Sequence, residues 1–238
     1  SWGTTSRLSS RQCWPNCRRK GISPMSKVFI GVGHGGKDPG SVAGGLQEKD
    51  INLVMALEMA QILTRHGVEV ALSRTADEND PLQEELAEAK AFAPDLAVEI
   101  HNNAGGGDGF EAYVQTGAYK EQSRKLAQLM EAQVKRIGQN SRGIKTRLME
   151  TGQDYFGWLR LNQCPAVLCE GAFLDSKDRE IIDTEQEQQA FGQAYAKAVL
   201  EYLGIPYQGK KPNPDTKTIS IQELGAMLNQ YGIYHITI

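Results

Sequence analysis

The run Lys27-Val28-Phe29-Ile30-Gly31-Val32 leads directly into Gly33-His34-Gly35-Gly36. A short apolar run that ends at glycine is typical of a buried β-strand followed by a loop. The glycine-rich loop continues to Gly45, and residues 50–66 then place leucine and alanine at helical spacing before a terminating glycine. A strand, a loop and a helix in this order indicate the first unit of an α/β sheet.

The same alternation continues along the chain. Further strands are predicted over residues 68–72, 96–101, 110–114, 144–149 and 166–169, and helices over 82–92, 119–137, 155–161 and 186–203. This order predicts an α/β fold with a mixed, mostly parallel central sheet and helices on both faces. In such sheets, functional side chains lie beyond the carboxyl ends of the strands.

The composition suggests one folded domain with shorter flanking segments. Residues 1–24 are rich in serine and arginine, and we expect them to be disordered or foreign to the natural protein. Residues 25–205 form the predicted domain, and the proline-rich residues 206–216 form a linker. Residues 217–238 are predicted to form a small α/β segment of unknown role.

Charge and hydropathy narrow the functional classes. The net charge is −3, and five basic residues lie in the first 24, so the remainder is distinctly acidic and does not favour nucleic-acid binding. No apolar run is long enough for a transmembrane helix, and no secretory signal is evident, which predicts synthesis in the cytoplasm.

Cys164 and Cys169 flank an apolar strand and are expected to be buried; Cys13 and Cys17 lack partners for a zinc site. The oligomeric state stays open.

Two histidines follow two different predicted strands, in a chain that has only four histidines. His34 lies among glycines, and His101 is followed by Asn102-Asn103. Imidazole is a favoured zinc ligand, and catalytic zinc sites commonly combine three protein ligands with one open position. Glu48, just before the first long helix, is the best candidate for a carboxylate ligand.

Each candidate also has a purely structural interpretation. His34 could be an exposed turn residue, and His101 could be a satisfied residue at a strand end. Glu48 could complement the dipole of the helix that follows it. Glu170 directly follows an apolar strand, where a carboxylate is costly unless it is paired, and could be a metal ligand or a general base. Glu99 shares a strand face with His101 and could orient that ring.

Together these residues carry a resemblance to a known family. From about Lys27 to Gly204, the chain resembles the zinc-dependent N-acetylmuramoyl-L-alanine amidases of the amidase-3 type. The matching motifs, in the family's order, are Gly33-His34-Gly35-Gly36, Glu48, Ile100-His101-Asn102-Asn103-Ala104, Arg142-Gly143-Ile144-Lys145 and 165–174 (PAVLCEGAFL).

The resemblance implies a ligand set and a reaction. His34, Glu48 and His101 would bind Zn²⁺, and Glu170 would be the catalytic carboxylate. The bond cleaved in this family joins the lactyl group of N-acetylmuramic acid to L-alanine of the peptidoglycan stem peptide. Such an enzyme would act on the bacterial cell wall after release from the cell, as phage endolysins and sporulation amidases do.

Three residues are predicted to contact substrate. Arg142 and Lys145 could bind a stem-peptide carboxylate, although solvated loop charges are an alternative interpretation. Asn102 lies beside the second histidine of the motif and is predicted to contact substrate as well.

The chain departs from the family pattern at several positions. Glu85 stands where the family usually has arginine, and Lys90 where it has asparagine. Glu99 replaces a frequent serine, and the asparagine expected after the Phe-Leu pair is not evident at Asp175 or Ser176.

Two other functions stay open on the sequence alone. The chain could be a zinc peptidase that acts within the stem peptide. It could also be a wall-binding module without catalytic activity.

Overall fold

The computed structural model of the protein describes residues 25–209. Its strands are β1 (Lys27–Val32), β2 (Val42–Ala43), β3 (Leu46–Gln47), β4 (Glu69–Leu72), β5 (Leu96–Asn103), β6 (Phe110–Val114), β7 (Ser141–Lys145) and β8 (Ala166–Phe173). Its helices are α1 (Glu48–Arg65), α2 (Leu82–Phe92), α3 (Lys120–Arg136), α4 (Gly157–Leu161) and α5 (Glu185–Leu203), with a 3-10 helix at Lys177–Ile181.

A six-stranded sheet forms the centre of the domain, in the order β4-β1-β5-β8-β6-β7. Within it β6 and β8 pair antiparallel, and the other neighbours pair parallel. The predicted mixed, mostly parallel sheet is therefore confirmed. The short strands β2 and β3 form a separate hairpin in the loop before α1.

Side-chain alternation along the strands builds a core on each face of the sheet. On one face, Val28, Ile30 and Val98 belong to the larger core, which is completed by residues of α1, α3 and α5. On the other face, Phe29 packs with Trp158 of α4 and Ala89 of α2 in a smaller core. Helices on both faces of the sheet are thus confirmed. The smaller core lies on the same face of the sheet as His101, because His101 follows Ala97 at even spacing along β5.

The edge strand β7 differs from its prediction. The sequence favours a strand over 144–149, but pairing with β6 begins at Phe110 and Ser141 and ends at Tyr113 and Lys145. Leu148, near the end of the predicted strand, instead makes an isolated bridge with Asp154. The β2–β3 hairpin and the 3-10 helix were not predicted.

The two central strands are longer than their apolar runs. β5 continues to Asn103 and β8 to Phe173, since their ladder extends through His101–Glu170 and Asn103–Phe173 with an irregularity between. The polar residues that seemed to follow the strands therefore lie within them, where the sheet fixes their direction.

Predictions for the termini lie outside the described residues. These are the leader 1–24 with its two cysteines, the linker beyond residue 209 and the segment 217–238. Residues 206–209 contain no helix or strand. Within 25–209, no helix combines the length and apolar character that crossing a membrane requires.

Candidate metal centre

His34 lies in a tight turn after β1. Its backbone is left-handed (φ 64°), which is uncommon for a residue with a side chain. Gly35 and Asp38 close the turn with two backbone hydrogen bonds of 2.9 and 3.0 Å. The Asp38 carboxylate lies 2.9 Å from His34 Nδ1, and this contact leaves Nε2 3.3 Å from Glu48 Oε2.

Glu48 begins α1 and is 2% exposed. Its two carboxylate oxygens accept backbone hydrogen bonds from opposite sides, Oε2 from Ser41 N at 2.8 Å and Oε1 from Asn102 N at 3.0 Å. A buried carboxylate is costly unless such donors compensate it. The loop before α1 and strand β5 therefore hold this side chain in one position.

His101 reaches the same carboxylate from β5. Its Nδ1 lies 2.9 Å from Glu48 Oε1, and its Nε2 lies 3.2 Å from Glu99 Oε1. The two imidazoles meet edge to face, with ring centroids 4.9 Å apart. A Cβ at Gly33 would collide with the His101 ring, so this position requires glycine.

The three residues fit a metal ion. His34, Glu48 and His101 each offer a ligand atom, and these atoms all lie within 4.8 Å of one another. Across residues 25–209, this is the one group of histidine, cysteine and acidic residues with such spacing. Two imidazoles and a carboxylate form a ligand set typical of catalytic zinc.

In each imidazole ring, the nitrogen that does not face Glu48 also contacts a carboxylate. Asp38 contacts the outer nitrogen of His34, and Glu99 that of His101. Carboxylates in this place fix the orientation and tautomer of metal-binding histidines. The structure thus places Glu99 where the sequence suggested, and adds Asp38.

The carboxylate of Glu48 favours positive charge on the two imidazoles beside it. Burial lowers the pKa of His34, but the hydrogen bond to Glu48 and its charge outweigh burial and raise the pKa overall. Burial also lowers the pKa of His101, but its hydrogen bonds to Glu48 and Glu99 and the charges of Glu99 and Glu170 outweigh burial and raise the pKa well above its ordinary value. Burial raises the pKa of Glu48, yet its bonds to the two histidines lower it overall. A carboxylate that holds protons on two imidazoles also favours a metal cation in their place.

Glu170 lies directly beside His101 in the β5–β8 pairing. Burial raises the pKa of Glu170 to about 7, while the neighbouring charge of His101 opposes the rise. A carboxyl group with a pKa near neutral is suited to accept and return a proton.

On the other side of Glu170, the β6–β8 pairing places Glu111 opposite it. Glu111 is 3% exposed. Its Oε1 accepts hydrogen bonds from Arg142 Nε and from Lys145 Nζ. These two cations lie on β7 with partly exposed side chains, and Glu111 links them to the strand pair that carries Glu170.

Comparison with known proteins identifies the family. The profile of the family described as N-acetylmuramoyl-L-alanine amidase matches residues 28–201. The chain is 33% identical over 184 residues to the sporulation-specific N-acetylmuramoyl-L-alanine amidase of Bacillus subtilis (strain 168), covering 76% of this chain and 69% of that protein. The chain belongs to the N-acetylmuramoyl-L-alanine amidase family.

A second relative and a solved structure agree with this membership. The endolysin of Bacillus phage SPP1 is 36% identical over 204 residues, covering 82% of this chain and 74% of the endolysin. The catalytic domain of CwlV, an N-acetylmuramoyl-L-alanine amidase from Bacillus (Paenibacillus) polymyxa var. colistinus, superposes with a TM-score of 0.68 at 30% identity, covering 76% of this chain and all of that domain (100%). The activity of the chain is therefore amide hydrolysis in peptidoglycan.

Asn102 has a different place in this amidase from the one predicted. Its side chain is 2% exposed, and its Nδ2 donates a 2.8 Å hydrogen bond to Asn52 of α1. Because the strand turns this side chain toward the helix, the predicted contact with substrate is not supported. Asn102 instead holds Glu48 through its backbone N–H.

Several residues that support the amidase site were not predicted from the sequence. Arg74 is 2% exposed and donates to the carbonyl oxygens of Val32, Gly33 and Lys49, which ties the glycine-rich loop after β1 to α1. Asp38 carried one usable signal, its spacing of four residues from His34.

Asp175 is one of the two positions at which the asparagine of the family pattern is not evident. Its Oδ2 accepts hydrogen bonds from Gly105 N at 2.8 Å and Gly106 N at 3.0 Å, so it anchors the loop after β5.

Proposed function

We propose that this amidase depends on zinc held by His34, Glu48 and His101, and that it cleaves the bond between the lactyl group of N-acetylmuramic acid and L-alanine. The observation that carries the proposal is the arrangement at Glu48. Both imidazoles turn one nitrogen to its carboxylate and the other nitrogen to a second carboxylate. An exposed turn histidine or a helix-capping acid would not need this arrangement.

His34, Glu48 and His101 would hold the zinc, which would supply Lewis acidity for the amide carbonyl and for a water molecule. Glu170 acts as the general base: its carboxylate accepts a proton from the attacking water and returns it to the leaving amine of L-alanine. Asp38 and Glu99 keep the two imidazoles oriented through their outer nitrogens.

Two surfaces of the protein beside these groups are available to bind substrate. A cavity of about 240 Å³ adjoins His34 and His101, with an apolar wall that includes Phe156 and Leu168. On the Glu170 side, Arg142 and Lys145 share a single carboxylate, Glu111, and so retain positive charge for an anionic group. A free carboxylate of the stem peptide fits such a pair.

The test combines metal content with lysis of purified sacculi. We expect one zinc per chain, loss of turbidity clearance on chelation, and recovery on addition of zinc. A metal-free chain that lysed sacculi at full rate would contradict the proposed ligand set.

Product analysis identifies the bond. Amidase action releases stem peptides with a new L-alanine amino terminus and leaves the glycan strands intact. Amino termini inside the stem peptide would instead indicate a peptidase, and sacculus binding without any product would indicate a wall-binding module.

A further inference from the structure

The glycine-rich loop after β1 lies against a second loop, the β4–α2 loop (residues 73–80). The two backbones approach closely, since a Cβ at Gly35 would collide with the carbonyl oxygen of Glu78. Further along, Asn79 Oδ1 accepts a 3.0 Å hydrogen bond from Lys37 N. The β4–α2 loop therefore follows the glycine-rich loop over several residues.

Gly36 is held from two directions where these loops meet. Its N–H donates a 2.7 Å hydrogen bond to Asp77 Oδ1, and its carbonyl oxygen accepts a 3.0 Å hydrogen bond from Lys49 Nζ. Asp77 Oδ2 in turn accepts a 2.7 Å bond from the same Lys49 Nζ. The side chain of Lys49 is 11% exposed. These three bonds form a closed set of contacts among the two loops and the first turn of α1.

Two members of this set lie close in sequence to proposed metal ligands. Lys49 follows Glu48 in the first turn of α1, and Gly36 lies two residues after His34. The left-handed backbone of His34 (φ 64°) is costly for a residue with a side chain, and it persists only where the surrounding structure enforces it. The bonds to Gly36 supply such a constraint, because they fix the backbone next to the turn.

We propose that Asp77 and Lys49 are positioning residues for the metal centre. By fixing both backbone polar groups of Gly36, they keep His34 in its left-handed conformation and so at a set distance from Glu48. The inference rests on the proposed function, because it treats these two side chains as ligands of one ion. Only molecules whose ligands are in place can bind metal, so a constraint that raises this fraction raises the affinity.

The first experiment measures the zinc affinity of the full chain by competition with a chromophoric chelator. Asp77→Ala removes the acceptor for Gly36 N–H and the partner of Lys49, and we expect affinity to fall about tenfold or more, the range for residues that support metal ligands. Asp77→Asn keeps an acceptor for Gly36 N–H, and we expect affinity within about threefold of wild type, because a partly exposed ion pair contributes little. The visible spectrum of the Co²⁺ form should shift in Asp77→Ala but not in Asp77→Asn.

The matched control for these variants lies in the same loop. Glu78 is exposed, and its side chain accepts a hydrogen bond from Thr75 N within the β4–α2 loop. We expect Glu78→Ala to bind zinc like wild type.

A double variant tests whether the two residues act through Gly36 together. Lys49→Met keeps the aliphatic stem but removes the donor to Gly36 O, and we expect a loss of affinity similar to that of Asp77→Ala. The combined variant should lose clearly less than the product of the two single losses. Lys120→Met, exposed at the start of α3, is the control. Losses that multiply in full would contradict a shared action.

Hydrogen exchange in the metal-free protein tests the turn itself without zinc. Asp38 N–H donates to Gly35 O and closes the turn that begins at His34. If Asp77 holds this turn, exchange of the Asp38 amide, followed by NMR, should be about tenfold faster or more in Asp77→Ala and unchanged in Glu78→Ala. Wild-type protection of this amide in Asp77→Ala would overturn the positioning role.

The affinity results separate the other failures. If Asp77→Ala binds zinc like wild type, or Asp77→Asn binds as weakly as Asp77→Ala, the positioning role is wrong while the zinc centre stands. A wild-type chain that takes up no zinc would overturn the centre itself, and the positioning role with it.

Discussion

Glu170 occupies an environment that suits proton transfer more than metal binding. It is flanked in register by His101 on one strand and by Glu111 on the other, and His101 lowers its pKa whereas Glu111 raises it. Burial raises the pKa of Glu170 to about 7, so both protonation states are accessible near neutral pH. A side chain that must accept a proton and then release it needs this balance.

Replacing this carboxylate should remove turnover but not metal. For Glu170→Gln we expect turnover on purified muramoyl peptides to fall roughly 100-fold or more, the range for loss of a general base. Zinc content should stay at the wild-type value, because the ligand set is intact. Glu150→Gln, on an exposed turn, is the control. Full turnover in the Glu170 variant would exclude it as the base.

The close approach of Gly33 to His101 gives a second prediction. Gly33→Ala places a methyl group in the space of the His101 ring. Because the ring must then move away from Glu48, we expect zinc affinity to fall about tenfold or more in a chelator competition. Gly117→Ala is the matched control, since a Cβ there meets nothing within 4 Å. Unchanged affinity in Gly33→Ala would mean that the ring position is not critical.

The principal site residues could be found from the sequence because each lies next to a strong local pattern. His34 follows an apolar strand and His101 ends another. Two histidines at the ends of two strands together indicated a metal site. Arg74 could not be found, because its role consists of contacts with carbonyl oxygens 25 to 42 residues away in the sequence. Asn102 shows the same limit, since the sequence does not indicate that its side chain turns toward Asn52 of α1.

Among the elements, the long apolar segments were predicted well and the edge of the sheet was not. α2 was predicted with its observed bounds, Leu82–Phe92, because helical spacing is maintained throughout. β7 has few apolar residues, and its bounds are set by pairing with β6. Glu170 of β8 and the polar residues 101–103 of β5 lie within strands because the ladder between β5 and β8 continues past the apolar runs.

Strand β7 is separated from Glu170 by β6 alone, and its cations Arg142 and Lys145 contact Glu111 of β6, which pairs with Glu170, so we expect β7 to contribute to substrate binding. Lys145→Gln removes one of two cations on Glu111 and leaves Arg142 to compensate that buried charge. We expect KM for stem peptides with a free carboxylate to rise about three- to tenfold, a free-energy change of roughly 0.7–1.4 kcal/mol. The value of kcat should change little, because Lys145 contacts no group that transfers a proton.

Steady-state kinetics on free and amidated stem peptides would test this role. The exposed Lys120→Gln is the control. An equal rise in KM for both substrates would argue against recognition of a carboxylate.

Helix α2 carries a pH-dependent contribution to stability through Glu85. The pKa of Glu85 is raised above its ordinary value of 4.5. Above pH 4.5, the folded chain therefore keeps a proton on Glu85 that the unfolded chain releases. The unfolded state then binds fewer protons, so stability is greatest at low pH and falls by about 1.4 kcal/mol per pH unit while Glu85 stays protonated. Glu85→Gln should therefore match wild type near pH 4.5 and become progressively more stable than wild type above it.

Urea unfolding of the metal-free proteins over a pH series measures this difference. Glu88→Gln should follow the wild-type curve. If wild type and Glu85→Gln kept a constant separation at all pH values, the shifted protonation of Glu85 would be excluded.

At the scale of the whole domain, residues 25–209, the stability of the fold and the proposed metal site have separate origins. The larger core joins the sheet to α1, α3 and α5, and the smaller core covers the opposite face. Cores of this extent form without a metal ion, in contrast to small zinc domains that are unfolded when empty. The class of fold could be predicted from the sequence, because it depends on the alternating apolar segments that build these cores. It does not depend on the residues of the site.

Removing the metal should therefore lower thermal stability without unfolding the domain. Zinc binds only the native arrangement of His34, Glu48 and His101, so at a free concentration near 100 times Kd it adds about 2.7 kcal/mol. For a domain of this size, that corresponds to a rise in Tm of about 5–11 °C. Calorimetry on chelated and reloaded protein measures the shift, and far-UV circular dichroism should show the same helix content in both. Glu48→Gln should lose most of the shift. Loss of helix on chelation would mean that the metal, and not the two cores, holds the domain together.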